Sequence, residues 1–329
     1  MGLRERIEVQ YGGAGTEFAE APPLPRNMMV ELSNACNHAC AFCPNPFMER
    51  PRGRIERELL LRVMREAADG GVRELGFYTT GEPFIHKDLP AFTRAAKEAG
   101  FAYVYISTNG ALATPERARA VIDAGMDSIK FSINAGSRET YREIHGQDEF
   151  DLVLGNLQFM AGYRRERGLP LKLYATCVVT QPMEHEIGRL RELLEPLVDE
   201  IAFDGCMPLA WPDPSAPGAA RICPMPFNRL HVTCEGYLTL CCVDFENYLA
   251  VADLNAVPLV QAWNSPAFRD MRRRHLAGDL AGSMCGRCWQ GDRTPVKPLN
   301  DALAHGLDWE AYDGRQRDLI NAKLRIHPR

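Results

Sequence analysis

An α/β domain built on six parallel strands, followed by a smaller cysteine-rich domain, is the architecture this sequence predicts. Three observations carry it. Short β-rich runs alternate with helical patterns between residues 28 and 207, six prolines crowd the stretch from Pro208 to Pro226, and most of the 11 cysteines fall into two groups on either side of it. The 329 residues suffice for one large and one small domain, and 46% apolar with 25% charged residues is ordinary globular composition.

The strands are expected at Met28–Ser33, Glu74–Thr79, Ala102–Thr108, Ser128–Asn134, Leu171–Thr180 and Glu200–Asp204. Between them Glu58–Ala68, Leu89–Ala99, Pro115–Ala124, Val153–Arg167 and Glu186–Leu194 carry helical periodicity. Strands separated by helices need crossover connections, so the sheet is parallel and either open or curled into a partial barrel. The prolines can sustain neither helix nor central strand, which places a boundary there. Residues 1–27 then form an N-terminal extension, 28–207 the α/β domain, 208–222 a linker, 223–296 the cysteine-rich domain and 297–329 a helical segment. Within the smaller domain Leu230–Thr233 and Tyr237–Cys241 flank Cys234-Glu235-Gly236 and read as a hairpin, with helices at Ser265–Leu276 and Pro298–Leu324.

Strand alternation separates two faces. Ile129, Phe131 and Ile133 oppose Ser128, Lys130, Ser132 and Asn134, and Leu171, Leu173, Ala175, Cys177 and Val179 oppose Lys172, Tyr174, Thr176 and Thr180. The apolar faces are expected under the helices and the polar ones in the lumen, joined there by Glu31, Tyr105 and Asp204.

A net charge of -5 without long single-sign runs argues against nucleic acid as a partner. No apolar stretch is long enough to span a bilayer, and the charged start Met1-Gly2-Leu3-Arg4-Glu5-Arg6 is unlike a signal peptide, so a cytoplasmic protein with no membrane partner is expected.

Cys36, Cys40 and Cys43 form C-x3-C-x2-C directly after the first strand, a pattern expected by chance about 0.01 times in a chain of this cysteine content. Three thiolates on one loop can hold three irons of a four-iron cluster and leave the fourth open. Structural zinc is the alternative, with His38 as a fourth ligand, although a ring inside the loop can hardly converge with the thiolates.

With Phe42 before its last cysteine, this loop resembles the C-x3-C-x-aromatic-C motif of the radical S-adenosylmethionine (SAM) superfamily. The resemblance implies a partial (β/α)6 TIM-like barrel, a SAM molecule chelated by the open iron of a 4Fe-4S cluster, and reductive cleavage to a 5′-deoxyadenosyl radical that abstracts hydrogen. Thr80-Gly81-Glu82-Pro83 looks like the family's Gly-Gly-Glu-Pro, which binds the SAM amino group, with Thr80 where the family has Gly. Ser107 and Asn109 after the third strand, and Ser132 and Asn134 after the fourth, stand where the family contacts SAM carboxylate and ribose.

In the second group Cys223, Gly236 and Cys241 match the C-x(9–15)-G-x4-C opening of SPASM and twitch domains, and Cys285-Gly286-Arg287-Cys288 adds a C-x2-C pair. The resemblance implies a small α+β twitch/SPASM-like domain with one auxiliary 4Fe-4S cluster on Cys223, Cys241, Cys285 and Cys288. Cys242 rivals Cys241, since strand neighbours point oppositely, and zinc on the same thiols is the alternative. Cys177, Cys206, Cys234 and Cys242 are left as buried thiols.

Four protein thiolates leave no open iron, so the auxiliary cluster should carry electrons and not bind substrate. That suits oxidation of an alcohol to a ketone, as in the twitch-type aminocyclitol dehydrogenase of butirosin biosynthesis, to which the chain is similar. The expected partners are a small polar substrate (a sugar, aminocyclitol or nucleoside) and an external reductant such as flavodoxin or ferredoxin. Lys130, Tyr174 and Asp204 are the candidates for holding substrate or taking its proton, with Lys172 and Tyr105 behind them. Radical epimerases, decarboxylases and dehydratases, with Cys177, Cys206 or Cys234 returning hydrogen, remain alternatives. So do ribosomal-peptide maturases, although 27 residues before the first strand are few for a peptide-binding domain.

Overall fold

The computed structural model describes residues 2–205, 222–292, 294–304 and 306–324. Strands β1 (Asn27–Val30), β2 (Glu74–Gly76), β3 (Tyr103–Thr108), β4 (Ser128–Ser132), β5 (Lys172–Val179) and β6 (Glu200–Gly205) pair in order and in parallel. Helices α1 (Leu3–Gly12), α2 (Arg57–Asp69), α3 (Leu89–Glu98), α4 (Pro115–Asp123), α5 (Arg138–His145), α6 (Phe150–Glu166) and α7 (Ile187–Leu194) accompany them. The alternation places Ile129, Phe131, Ile133, Leu173, Ala175 and Cys177 in one apolar core with Leu60, Val63 and Met64 of α2.

The sheet does not stop at the proline-rich stretch. β7 (Arg229–Val232) lies parallel to β1, and β8 (Tyr237–Thr239) and β9 (Ala250–Asp253) follow antiparallel, giving nine strands in the order β6-β5-β4-β3-β2-β1-β7-β8-β9. The short helix α8 (Met225–Asn228) precedes β7, and α9 (Leu259–Trp263), α10 (Pro266–Ala277), α11 (Met284–Gln290) and α12 (Trp309–Leu324) complete the chain. Ser265 and Ser283 cap α10 and α11 by accepting from Phe268 N and Gly286 N.

Three elements differ from expectation. The final helix begins at Trp309 and not at Pro298, because Leu299 N is engaged by Tyr248 O and Asn300 closes a turn onto Ala302 N. α5 has too polar a sequence to announce itself, but Ser137 caps it and Gly146, at φ 70°, ends it. The extension before the first strand contains α1, which plugs the N-terminal end of the barrel. There Arg6 pairs with Glu74 at 2.9 Å and lies 3.4 Å over the Tyr103 ring, while Leu3 packs with Tyr174 and Ala202.

Candidate functional site

Parallel strands bring their C-terminal ends, and the loops that follow, to one face. The cysteine loop after β1 meets the loops after β2, β3 and β4 there. Glu82 N donates to Ala35 O at 2.9 Å, so the Gly-Glu-Pro turn lies directly against the cysteine loop. Only glycine permits this: a Cβ on Gly81 would sit 2.1 Å from Ser33 O and 2.6 Å from Ala35 O. Thr80, one residue earlier, is buried; its carbonyl accepts from Asn45 Nδ2 at 3.1 Å and its hydroxyl faces Glu31.

Glu82 is 2% exposed and its carboxylate is already used. Oε1 accepts from Phe84 N at 3.0 Å and from Thr108 Oγ1 at 2.7 Å, and Oε2 accepts from Asn109 N at 2.8 Å. It therefore ties the loop after β3 to the loop after β2. Asn109 in turn donates Nδ2 to Asn37 Oδ1 at 2.9 Å and lies 3.8 Å from Cys36 Sγ. Ser107 and Ser132 face each other across β3 and β4 at 3.4 Å, and Phe42 packs on the core beside the loop. Asn134 is 2% exposed and spent on the protein: Oδ1 accepts from Val178 N at 2.8 Å and Nδ2 reaches His145 at 3.2 Å.

Burial pushes the Cys36 thiol up to about 11, with Glu82 and Cys43 adding to it, and burial also raises Cys43 against the pull of Asn45 N and Arg52. Three thiols on one loop, two of them buried unfavourably for bare thiolates, suit a positively charged metal group. A zinc ion with His38 as fourth ligand is not what this loop provides. His38 Nε2 is 2.8 Å from Glu149 and Nδ1 is 3.3 Å from His145 Nδ1, so both nitrogens have other partners.

In the lumen Lys130, whose register partner on β5 is Tyr174, lines a pocket with Tyr78, Tyr105, Tyr174 and Leu3 of α1; its Nζ lies 5.3 Å from the Tyr78 ring centre, and burial holds its ammonium below its usual range, opposed by Asp204. Asp204 is exposed at the end of β6. Tyr174 is 3% exposed on the barrel floor under α1, near the Tyr103 hydroxyl, with its side chain packed on Leu3 away from the cysteine loop. Tyr105 is on the same floor, exchanging hydrogen bonds with Asn27 at 2.8 and 3.1 Å, and Lys172 is exposed and pairs with Asp199 at 3.2 Å. Alternation identifies the face of a strand but not the depth along the barrel, so these three leave the list of groups near the loops. Glu31 is also unavailable, being 1% exposed and paired with Arg50 at 2.7 Å.

Cys223, Cys241, Cys285 and Cys288 line one pocket, together with Met225, Trp289 and Trp309, and Cys242 does not line it. The residues just before α8, the turn after β8 and α11 deliver the four thiols, and α12 covers them through Trp309 and Asp313. Burial raises Cys223 to about 12, with Cys288 contributing, and raises Cys285 with Cys223 and Cys288 contributing. Four mutually repelling thiols gathered about one pocket fit an iron-sulfur cluster. Cys242 lines a second pocket with Thr79, Thr80 and His231, which Cys241 also borders, and Cys241 and His231 make Cys242 the easier of the pair to ionise. Cys177 sits in the apolar core beside Met183 at 3.7 Å, Cys234 beside Glu31, and Cys206 lies outside the described residues.

Arg50 escaped the sequence reading. It is 2% exposed, joins Glu31 at 2.7 Å to Glu235 at 2.7 Å, and donates to Phe245 O at 2.7 Å. Among the described residues no helix is long and apolar enough to cross a membrane.

The family model of the radical SAM superfamily matches residues 30–193, and that of the SPASM iron-sulfur cluster-binding domain matches residues 223–289. A probable GTP 3′,8-cyclase of Saccharolobus solfataricus is 33% identical over 132 residues, which are 40% of this chain and 42% of that protein. The chain spans about half the length of the curated relatives it matches. In fold it is similar to BtrN, solved with AdoMet and 2-DOIA, at 19% identity and TM-score 0.56 over 80% of this chain and 92% of that one. It is also similar to Streptococcus suis SuiB, solved with the precursor peptide SuiA, at 14% identity and TM-score 0.64 over 85% of this chain and 76% of that one. By residues 30–193 the chain thus belongs to the radical SAM superfamily, and residues 223–289 add a SPASM-type domain, with SAM, a 4Fe-4S cluster and an auxiliary iron-sulfur cluster as the cofactors these domains imply.

Proposed function

We propose that this radical SAM enzyme oxidises an alcohol carbon of a small polar molecule, a sugar, aminocyclitol or nucleoside, to a ketone. The observation that carries this reading is the set of four thiols about a single cavity, Cys223, Cys241, Cys285 and Cys288, whose number leaves no coordination position for substrate. The cofactor at Cys36, Cys40 and Cys43 supplies, when bound, the electron that splits SAM into methionine and the 5′-deoxyadenosyl radical. Removing a hydrogen atom from the carbinol carbon leaves a radical that becomes a ketone by losing one proton and one electron. The four thiols hold the electron acceptor. Lys130, whose charged form burial disfavours, takes the proton, and Asp204 favours the ammonium that results. Ser107, Asn109 and Ser132 line the SAM side, while Gly81 and Glu82 shape it. An external one-electron donor of the flavodoxin or ferredoxin class completes the cycle.

One observation favours a second reading. Cys242 opens to the pocket of Thr79, Thr80 and His231 and carries a charge interaction with Lys130, which puts a thiol on the lumen side. A thiol there suits redox-neutral chemistry, in which it returns a hydrogen atom to the substrate radical, as in an epimerase.

Changing Cys285 and Cys288 to Ala distinguishes the two. Dehydrogenation predicts that the variant, with about four irons where the wild type has about eight, still makes 5′-deoxyadenosine but almost no ketone. An unchanged ratio of ketone to 5′-deoxyadenosine rejects the acceptor role. A wild-type product that is isomerised and carries solvent deuterium, lost on Cys242→Ala, establishes the second reading.

A further inference from the structure

Helix α5 ends on His145, which is fully buried and lies parallel on the Tyr141 ring at 3.9 Å between centres. Its two nitrogens have unequal neighbours. Nε2 is 3.2 Å from the backbone N of Asn134 and 3.2 Å from Asn134 Nδ2. A backbone N–H can only donate, and Asn134 presents its amide nitrogen here because its Oδ1 is taken by Val178 N. Nε2 is therefore the acceptor and carries no proton, so the proton of the neutral ring is on Nδ1. Nδ1 faces Cys40 Sγ at 3.6 Å and His38 Nδ1 at 3.3 Å. His38 points its Nε2 at the Glu149 carboxylate at 2.8 Å, which needs the proton on that nitrogen and leaves His38 Nδ1 as an acceptor. The one N–H of His145 is thus shared between a cysteine sulfur and a neighbouring ring.

We propose that His145 is a positioning residue for the SAM-binding cluster, donating its Nδ1–H to Cys40 Sγ and so raising the cluster's reduction potential, with His38 competing for the same proton. The physical reason is charge: a hydrogen bond to a ligand sulfur draws electron density from the thiolate and favours the reduced, more negative state. Because His38 draws that hydrogen away from sulfur, the two histidines act in opposite directions. The Glu149 end of the chain is partly exposed and the Cys40 end is against the loop, so the device reaches from surface to cofactor. The inference rests on the reading that Cys36, Cys40 and Cys43 hold that cluster.

EPR-monitored redox titration of the reconstituted enzyme tests it, the relevant signal being the one that changes when SAM is added. His145→Phe keeps the stack on Tyr141 but removes the donor, and its midpoint potential is expected to move to more negative values at unchanged iron content. His38→Phe removes the competitor, and its potential is expected to move the other way. Coincident potentials in wild type and His145→Phe, or shifts of the same sign in both variants, overturn the proposal. Should one variant fail to retain iron, the sign of the other decides. A wild type with iron but no SAM-responsive signal overturns the underlying reading of the loop, and the proposal with it.

Discussion

Gly81 has no room for a side chain, and the consequence is chemical. The Cβ of an alanine at that position would be 2.1 Å from Ser33 O, inside any permissible contact, so the turn after β2 would have to retreat from the cysteine loop. Gly81→Ala is expected to lose about four of about eight irons while the C-terminal domain keeps its own, read by iron and sulfide analysis after anaerobic reconstitution. Full iron content with SAM cleavage at the wild-type rate would show that the turn yields. The Gly-Glu-Pro motif was legible as residues, but two of its roles were not. The steric role depends on a backbone 48 positions away in sequence from Gly81, and the three donors on Glu82 come from two different loops.

At the scale of an element, α5 carries His145 and Tyr141 and is held at its start by a distant carboxylate. Glu186 accepts from Gly136 N at 2.7 Å, Ser137 Oγ at 2.5 Å and Thr140 Oγ1 at 2.9 Å. Burial raises its pKa, but the bonds from Ser137, Gly136 and Thr140 outweigh burial and hold the group below the ordinary carboxylate value. A depressed carboxylate contributes stability that is present above its unfolded pKa of about 4.3 and is lost as pH falls through the folded value. Glu186→Gln is expected to cost about 1–3 kcal/mol at pH 7. Thermal melts of both proteins should show a gap that is constant down to about pH 5 and closes in more acid solution. A gap that widens on acidification would contradict the assignment.

For the whole molecule, the sheet and one arginine join the two cysteine sites. β7 continues the sheet from β1, and Arg50, at the end of the first cysteine loop, ties Glu31 of the barrel to Glu235 in the turn between β7 and β8. Glu246 reinforces the seam by accepting from Glu49 N at 2.8 Å and Arg50 N at 2.9 Å. Removing one member of a buried ion pair leaves an uncompensated charge, which costs about 3–5 kcal/mol. Arg50→Met is expected to show that loss in chemical denaturation, and Glu31→Gln added to it is expected to restore a large part. Equal destabilisation of the single and double variants would mean that lost packing, not unpaired charge, sets the cost.

The sequence by itself determined the six parallel strands, their apolar faces and the two cysteine groups, because alternation, crossover length and thiol spacing are local properties that neighbouring residues impose. Ile129, Phe131 and Ile133 are core for that reason, and Cys36, Cys40 and Cys43 share one loop. Tertiary structure alone decided depth and partnership. It put Tyr174 and Tyr105 on the floor beneath α1, brought Cys241 and not Cys242 to the pocket of the other three thiols, and placed Asn134 and His145 behind the cysteine loop. Those outcomes depend on which side chains far apart in the chain satisfy each other's buried donors and acceptors, and local periodicity carries no information about such pairings.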